Sequence, residues 1–304
     1  MRAVCVALLA GCGFQASSSG TPVDGNNQVI VDASVDQGGG SDATPPIDAR
    51  VCFGAGLVKV CLGAPPSKAV NYAGASNSID TSNATSCTKL VPQTGGPELC
   101  VIAGTTVNVG GTVTVTGSRP LVLIAAETLS VTGTLDGSST TNTNPRRIGP
   151  GANLGTCNPA STPDNSTGGA GGGGGGSLAT KGGNGGAGDQ NHTGRPNDAK
   201  GGNAGNAQGA PPVLRAGCPG GKGGDADAAH RGGAGGDGGG AIYLIAGISI
   251  TVSGDVFASG AGGGATNNAT GAEQGGGGGG TGGMIGLDAP AIDITATARV
   301  VANG

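Results

Sequence analysis

The sequence has few of the residues that usually fill a protein core or an active site. Its 304 residues include no tryptophan, 3 phenylalanines, 2 tyrosines and 2 histidines. A core built almost without aromatic rings must be small and aliphatic. Charged residues make up 11% of the chain, the net charge is −4 and there is no basic run. The positive surface that nucleic-acid binding requires is missing, so we expect no nucleic-acid partner.

Long apolar runs are also absent, because none reaches the roughly 18 residues that a membrane-spanning helix needs. The abundant residue is glycine, with 69 copies. Glycine is concentrated in two stretches, residues 138–240 and 261–283. We therefore look for the strands that form the core outside these two stretches.

A repeated segment organises those other parts of the chain. Residues 121–137 return as residues 242–258 without a gap. An earlier copy begins 22 positions before Leu121, at Leu99, and a looser copy begins at Ile285 with one extra residue near Pro290. Each copy alternates apolar and small polar residues, which is the period of a strand with one buried face.

The repeat predicts the fold, since like residues recurring in register are typical of a solenoid. We predict an all-β chain that forms a short right-handed parallel β-helix of about four rungs over residues 99–304. A sandwich of antiparallel hairpins is the alternative. The last rung ends with its apolar positions uncovered, which predicts either a longer natural chain or a partner on that face. The predicted inward stacks include Leu99/Leu121/Ile242/Ile285, Val101/Leu123/Leu244/Leu287, Val107/Leu129/Ile250/Ile294, Val109/Val131/Val252/Ala296 and Val113/Leu135/Val256/Val300.

The N-terminus carries the most specific short motif. Arg2 precedes an apolar run, and Leu9-Ala10-Gly11-Cys12 matches the lipobox of bacterial lipoprotein signal peptides. This match predicts a signal peptide over residues 1–11 and a lipid anchor in the membrane on Cys12. Gly13, where an aspartate would signal retention in the inner membrane, indicates the outer membrane. Residues 12–50, rich in Ser, Gly, Pro and Asp, are predicted to be a disordered tether.

The remaining cysteines form an even set in a chain that is predicted to be exported, so three disulfides are expected. Many pairings are possible, and proximity in the sequence favours joining neighbours. Residues 51–98 hold three of these cysteines and do not fit the repeat, so we predict a disulfide-bonded N-terminal cap. The favoured pairs are Cys52 with Cys61, Cys87 with Cys100, and Cys157 with Cys218.

The glycine-rich insertions both begin just after the column of Leu135 and Val256, so they should leave from one corner. Their Gly-Gly-x triplets have the three-residue period of a polyproline-II-type helix, and we predict partial order of a polyglycine-II-like kind. Two strings, 220–225 and 232–237, match the first six positions of a calcium-binding repeat, but the aliphatic residue that must follow is missing. No Cys-x-x-Cys or phosphate-loop motif occurs. We therefore predict no metal and no cofactor.

Catalytic residues are not evident. A carbohydrate-cleaving β-helix needs clustered carboxylates on one outer face, whereas the repeats offer only Asp255, Asp293 and Arg299, in different columns. Glu127 is expected at a corner. The Ser/Thr columns could also form an ice-binding surface, although solvated strand positions favour threonine anyway.

The lipobox, the tether, the cysteine-bounded cap and the aliphatic repeats with Gly-Gly-x insertions together resemble uncharacterised Gly-rich, β-helical surface lipoproteins of Gram-negative bacteria. The insertions are similar in composition to PGRS-type repeats. The resemblance implies a non-enzymatic protein of the outer membrane or cell surface with a structural or adhesive role, whose partner would be a cell-surface glycan or protein. The alternative is an extracellular β-helix protein that binds or cleaves carbohydrate.

Overall fold

The structure is a computed structural model, and it describes residues 51–141, 146–153, 155, 157–189, 199–266 and 273–304. The predicted signal peptide, Cys12 and the tether lie outside the described residues. The described chain is nearly all β, with one short 3-10 helix at Ala84–Ser86. The strands are β1 Val51–Phe53, β2 Val60–Leu62, β3 Val70–Tyr72, β4 Ser76–Asp80, β5 Lys89–Val91, β6 Leu99–Gly104, β7 Val107–Val109, β8 Thr112–Thr116, β9 Leu121–Ala125, β10 Thr128–Val131, β11 Thr134–Asp136, β12 Ala241–Ala246, β13 Ser249–Val252, β14 Asp255–Phe257, β15 Met284–Asp288, β16 Ala291–Ile294 and β17 Arg299–Val301.

Each of the four sequence copies contributes three consecutive strands, and each strand pairs with the equivalent strand of the next copy. This gives three five-stranded sheets with the orders β16-β13-β10-β7-β3, β17-β14-β11-β8-β4 and β15-β12-β9-β6-β5. All pairs in them are parallel except β5 with β6. The second and third copies keep the predicted register, with Leu121 beside Ile242 and Leu135 beside Val256. Hairpins would have made these pairs antiparallel.

The predicted register of the first copy is wrong by one residue in β6. Cys100, and not Leu99, lies beside Leu121, whereas Val107 lies beside Leu129 as predicted. The cause is the corner between β6 and β7, which is one residue shorter than the corner between β9 and β10. Because side chains alternate along a strand, this one-residue shift exchanges the two faces of β6. Leu99 and Val101 therefore face away from the interior that Cys100 and Ile102 share.

The fourth copy also departs from the prediction. Ile292, and not Ile294, lies beside Ile250, and Ile294 takes the place beside Val252 that we predicted for Ala296. The corner after β15 is one residue shorter than its counterpart after β12, rather than one longer. The connection between β16 and β17 is two residues longer than its counterpart between β13 and β14, and there the backbone turns and the N–H of Ala298 donates to the Thr295 carbonyl.

The three sheets share one interior. Their inward residues form an aliphatic cluster in which Leu121, Leu123, Leu135, Ile242 and Ile250 are completely buried. Burial of aliphatic side chains, at about 25 cal/mol per Å² of apolar surface, is the main stabilising contribution expected in such a core. The cluster contains no buried charge.

The sheet of β5, β6, β9, β12 and β15 is apolar on its outer face as well. That face is covered by the β1–β2 hairpin and by Leu214 and Ala216 from the first glycine-rich insertion. Val122 and Ile124 are fully buried beneath them. This explains why β9 and β12 read as continuous apolar runs: they are buried on both faces.

Residues 51–98, which we predicted to be a cap, divide into two parts. The hairpin β1–β2 lies on the outer sheet face just described. Strands β3 and β4 instead pair with β7 and β8, and β5 pairs with β6, so they extend the three sheets by one layer before the first copy. The disulfides Cys52–Cys61, Cys87–Cys100 and Cys157–Cys218 are formed.

Candidate binding surface of the glycine-rich segments

The glycine-rich insertions are extended segments that lie side by side and hydrogen-bond through their backbones. Gly137 and Ser139 donate to Phe257 and Ser259, so the two insertions begin next to one another, as predicted. These segments are residues 169–176, 182–188, 199–205, 217–224, 232–240, 258–264 and 275–283.

Hydrogen bonds between segments recur every third residue. The N–H groups of Gly217, Gly220 and Gly223 all donate to segment 232–240, at 2.8–2.9 Å. The intervening Gly221 and Gly224 both donate to segment 169–176, at 2.7 and 2.8 Å. A strand would alternate between two sides, whereas here three sides are used in turn. This is the period of an extended three-residue helix.

Many of these glycines are required because neighbouring backbones approach closely. A Cβ at Gly235, Gly236 or Gly278 would lie 2.0–2.1 Å from a carbonyl oxygen of the adjacent segment. Such a contact cannot be relieved by rotating a side chain, since the obstacle is backbone. Other glycines, including Gly183 and Gly262, would meet no atom within 4 Å.

One buried carboxylate anchors segment 232–240 to residues 146–153. Asp237 is 1% exposed and accepts hydrogen bonds from Arg146 and Asn153. The Asn153 side chain in turn accepts the backbone N–H of Gly238 at 3.0 Å. Asp237 also raises the pKa of Arg146, through its hydrogen bond to the guanidinium. Removing one partner of a buried, hydrogen-bonded ion pair of this kind leaves the other charge buried without a partner, which destabilises the folded state strongly.

A second anchor surrounds the Cys157–Cys218 disulfide. The buried Arg215 guanidinium lies 3.6–3.7 Å from the two sulfur atoms and donates to Gln208. Burial lowers the pKa of Arg215. The backbone N–H of Cys218 donates to the Thr281 hydroxyl at 2.7 Å, which ties the disulfide to segment 275–283. The sequence predicted the Cys157–Cys218 bond but not the two arginine contacts, because Arg146 and Arg215 occur in no recognisable motif.

The two calcium-like strings are occupied by internal contacts. Asp225 pairs with Lys222 and Arg231, and the pKa of its carboxyl is lowered, first by the Lys222 hydrogen bond and then by the Gly232 N–H. Asp237 is the carboxylate held by Arg146. Across the described ranges, no group of three or more His, Cys, Asp or Glu side chains could hold a metal ion.

Of the charged residues that could have suggested an enzyme, Asp255 and Arg299 lie side by side in one column, contrary to the prediction, and the others lie apart from them. Asp255 forms a bidentate ion pair with Arg299, at 2.7 and 2.5 Å, and Arg299 lies over the Phe257 ring at 5.1 Å. The Arg299 hydrogen bond lowers the pKa of Asp255. Asp293 lies on a different sheet, and Glu127 is exposed between β9 and β10.

The described part of the chain has no helix long and apolar enough to cross a membrane. Comparison of the chain with protein families, with characterised proteins and with solved structures finds no match.

Proposed function

We propose that this chain is a non-enzymatic, lipid-anchored protein of the outer membrane or cell surface with a structural or adhesive role. In this proposal the three parallel sheets are the faces of a short right-handed parallel β-helix. The glycine-rich segments form a bundle of polyglycine-II type mounted on one of its corners. The observation that carries the proposal is the hydrogen bonding every third residue between segments, because it joins the glycine-rich segments into one continuous hydrogen-bonded surface.

Three further observations support a structural role. On the outer sheet faces, Asp255 is paired locally with Arg299. Three disulfides suit an oxidising location outside the cytoplasm. A lipid anchor on Cys12 would leave the tether to present the folded part to the surroundings.

The anchor is tested by replacing Cys12 with serine. Cys12→Ser should remove incorporation of labelled fatty acid and move the protein from the membrane fraction to the soluble fraction. The matched control is Cys5→Ser, which should leave both readouts unchanged, since Cys5 lies within the predicted signal peptide. Wild-type protein that takes up no label, or a Cys12→Ser protein that remains in the membrane, would disprove the anchor.

The adhesive role is tested on the purified folded part. Residues 51–304 displayed on beads should retain cells or surface glycans, and a glycan array identifies which sugars are bound. Release of reducing sugar from a bound polysaccharide would instead favour the carbohydrate-cleaving alternative.

A further inference from the structure

A groove runs along segment 169–176, between segments 182–188 and 275–283. We call it the glycine groove. Its floor and walls are fixed by hydrogen bonds of 2.8–2.9 Å from the floor to the walls. At one end it widens near Lys181 and Gly282 into a cavity of about 550 Å³. The floor consists of Gly172 and Gly175, one wall of Gly183 and Gly186, and the other wall of Gly276 and Gly279.

The groove is the position of a missing neighbour. A three-residue helix presents its N–H groups in three directions and its carbonyls in three others, so it can hold six neighbours. Segment 169–176 donates to Asp164 and to both wall segments, and its carbonyls accept from Gly202 and from segment 217–224. These are five neighbours. The sixth direction, between the walls, is the groove.

Backbone groups that face the groove are not hydrogen-bonded within the described chain. The carbonyls of Gly173 and Gly176 belong to the third carbonyl direction and accept no hydrogen bond from the described residues. The N–H groups of Gly276 and Gly279 likewise donate to no described acceptor, while the residues around them donate to segments 217–224 and 258–264. Acceptors on the floor and donors on a wall therefore repeat every third residue. An extended chain of the same period could satisfy both.

Among the described residues, no steric contact requires glycine at these wall positions. A Cβ at Gly183, Gly186 or Gly276 would meet no atom within 4 Å, and one at Gly279 would meet only a carbonyl at 3.8 Å. Glycine nevertheless loses more conformational entropy on folding than any other residue. Segment 182–188 carries side chains on its other exposed face, at Asn184 and Ala187. Glycine at every third position of both walls leaves room for another backbone to lie against them.

We propose that the glycine groove binds a glycine-rich segment from a second copy of this chain. The proposal rests on the structural role proposed above, and it specifies that the partner in that role is another copy of the same chain. The occupant must have glycine on the faces that touch both walls and the floor, and the sequence that shows this period is the chain's own. The contact would continue the interfaces that already join segment 169–176 to its five neighbours. Segment 182–188, at the edge of the bundle, can fill the partner's groove in return, which gives a two-fold symmetric contact.

The test is a concentration series of the disulfide-bonded folded part by sedimentation velocity. The wild type should form a reversible dimer. Gly276→Val places a branched side chain on a wall residue of the groove, where the described chain has room for it, and should weaken the dimer about tenfold or more. The matched control is Gly262→Val, because Gly262 also meets no atom within 4 Å but lies on segment 258–264, away from the groove. It should leave the dimer unchanged.

Both variants should keep the thermal midpoint of the wild type measured at a concentration where it is monomeric. A wild type that stays monomeric at the highest soluble concentration would overturn the proposal. So would a dimer that Gly276→Val does not weaken, which would indicate association through another surface such as exposed Ile292 and Ile294. Neither outcome bears on membrane anchoring or on retention of cells, so failure here is distinguishable from failure of the proposed function.

Discussion

Gly262 and Gly263 are neighbours in one glycine-rich segment, yet the structure constrains them differently. A Cβ at Gly263 would lie 1.9 Å from the carbonyl oxygen of Gly277, whereas a Cβ at Gly262 would point into open space. Composition alone cannot distinguish the two positions. The distinction comes from which of the three faces of the segment meets a neighbouring backbone.

This difference gives a prediction for alanine substitution. Gly263→Ala should lower the free energy of unfolding by about 1–3 kcal/mol, because the added methyl group forces two backbones apart. Gly262→Ala should be neutral or should stabilise the protein by up to about 1 kcal/mol, since it reduces the entropy of the unfolded chain. Denaturant unfolding measures both values. Equal effects at the two positions would show that segment 258–264 is not packed against segment 275–283.

At the scale of the strand, the alternation of apolar and polar residues predicted every strand of the second and third copies, and the parallel pairing followed from matching columns. The register failed where a corner changed length. Leu99 and Cys100 are both apolar enough to face the interior, so β6 reads equally well in either register. Only the shorter corner before Val107, together with the second apolar cluster outside β6, decides between them.

The observed register of β13 can be tested with two adjacent substitutions. Ile250 is completely buried between Leu129 and Ile292. Ile250→Asn should therefore destabilise the protein by several kcal/mol, because the amide would be buried without partners and the aliphatic contacts would be lost. Thr251→Asn should change stability by less than about 0.5 kcal/mol, since Thr251 lies on the outer face. If thermal or denaturant unfolding ranked the two variants in the opposite order, the register would be wrong.

Considered as a whole, the folded chain joins its stacked strands and its glycine-rich segments at several places. Leu214, from the first insertion, is buried against the outer face of β9 and β12. Segments 232–240 and 275–283 lead directly into β12 and β15. The sequence predicted that the insertions leave from one corner and have a three-residue period. It could not predict which segments touch, because nearly identical Gly-Gly-x triplets give no basis for choosing between partners.

The disulfide Cys157–Cys218 helps to make that choice, and this leads to a prediction for the molecule as a whole. The disulfide joins cysteines that are 61 positions apart in the sequence. Closing a loop of this length lowers the entropy of the unfolded chain and should stabilise the folded state by roughly 4 kcal/mol. Cys157→Ser combined with Cys218→Ser should therefore increase the hydrogen exchange of amides that bond between segments. The amides to follow are those of Gly220, Gly223, Gly233 and Gly236.

The control for this experiment is Cys52→Ser combined with Cys61→Ser, which opens a loop of only 9 residues of separation in the β1–β2 hairpin. It should leave the four glycine amides protected, because none of them hydrogen-bonds to that hairpin. In the oxidised wild type all four amides should exchange slowly, since each donates a backbone hydrogen bond to another glycine-rich segment. Rapid exchange of these amides would mean that the segments are not held together in solution, and it would contradict the proposal of an ordered glycine surface.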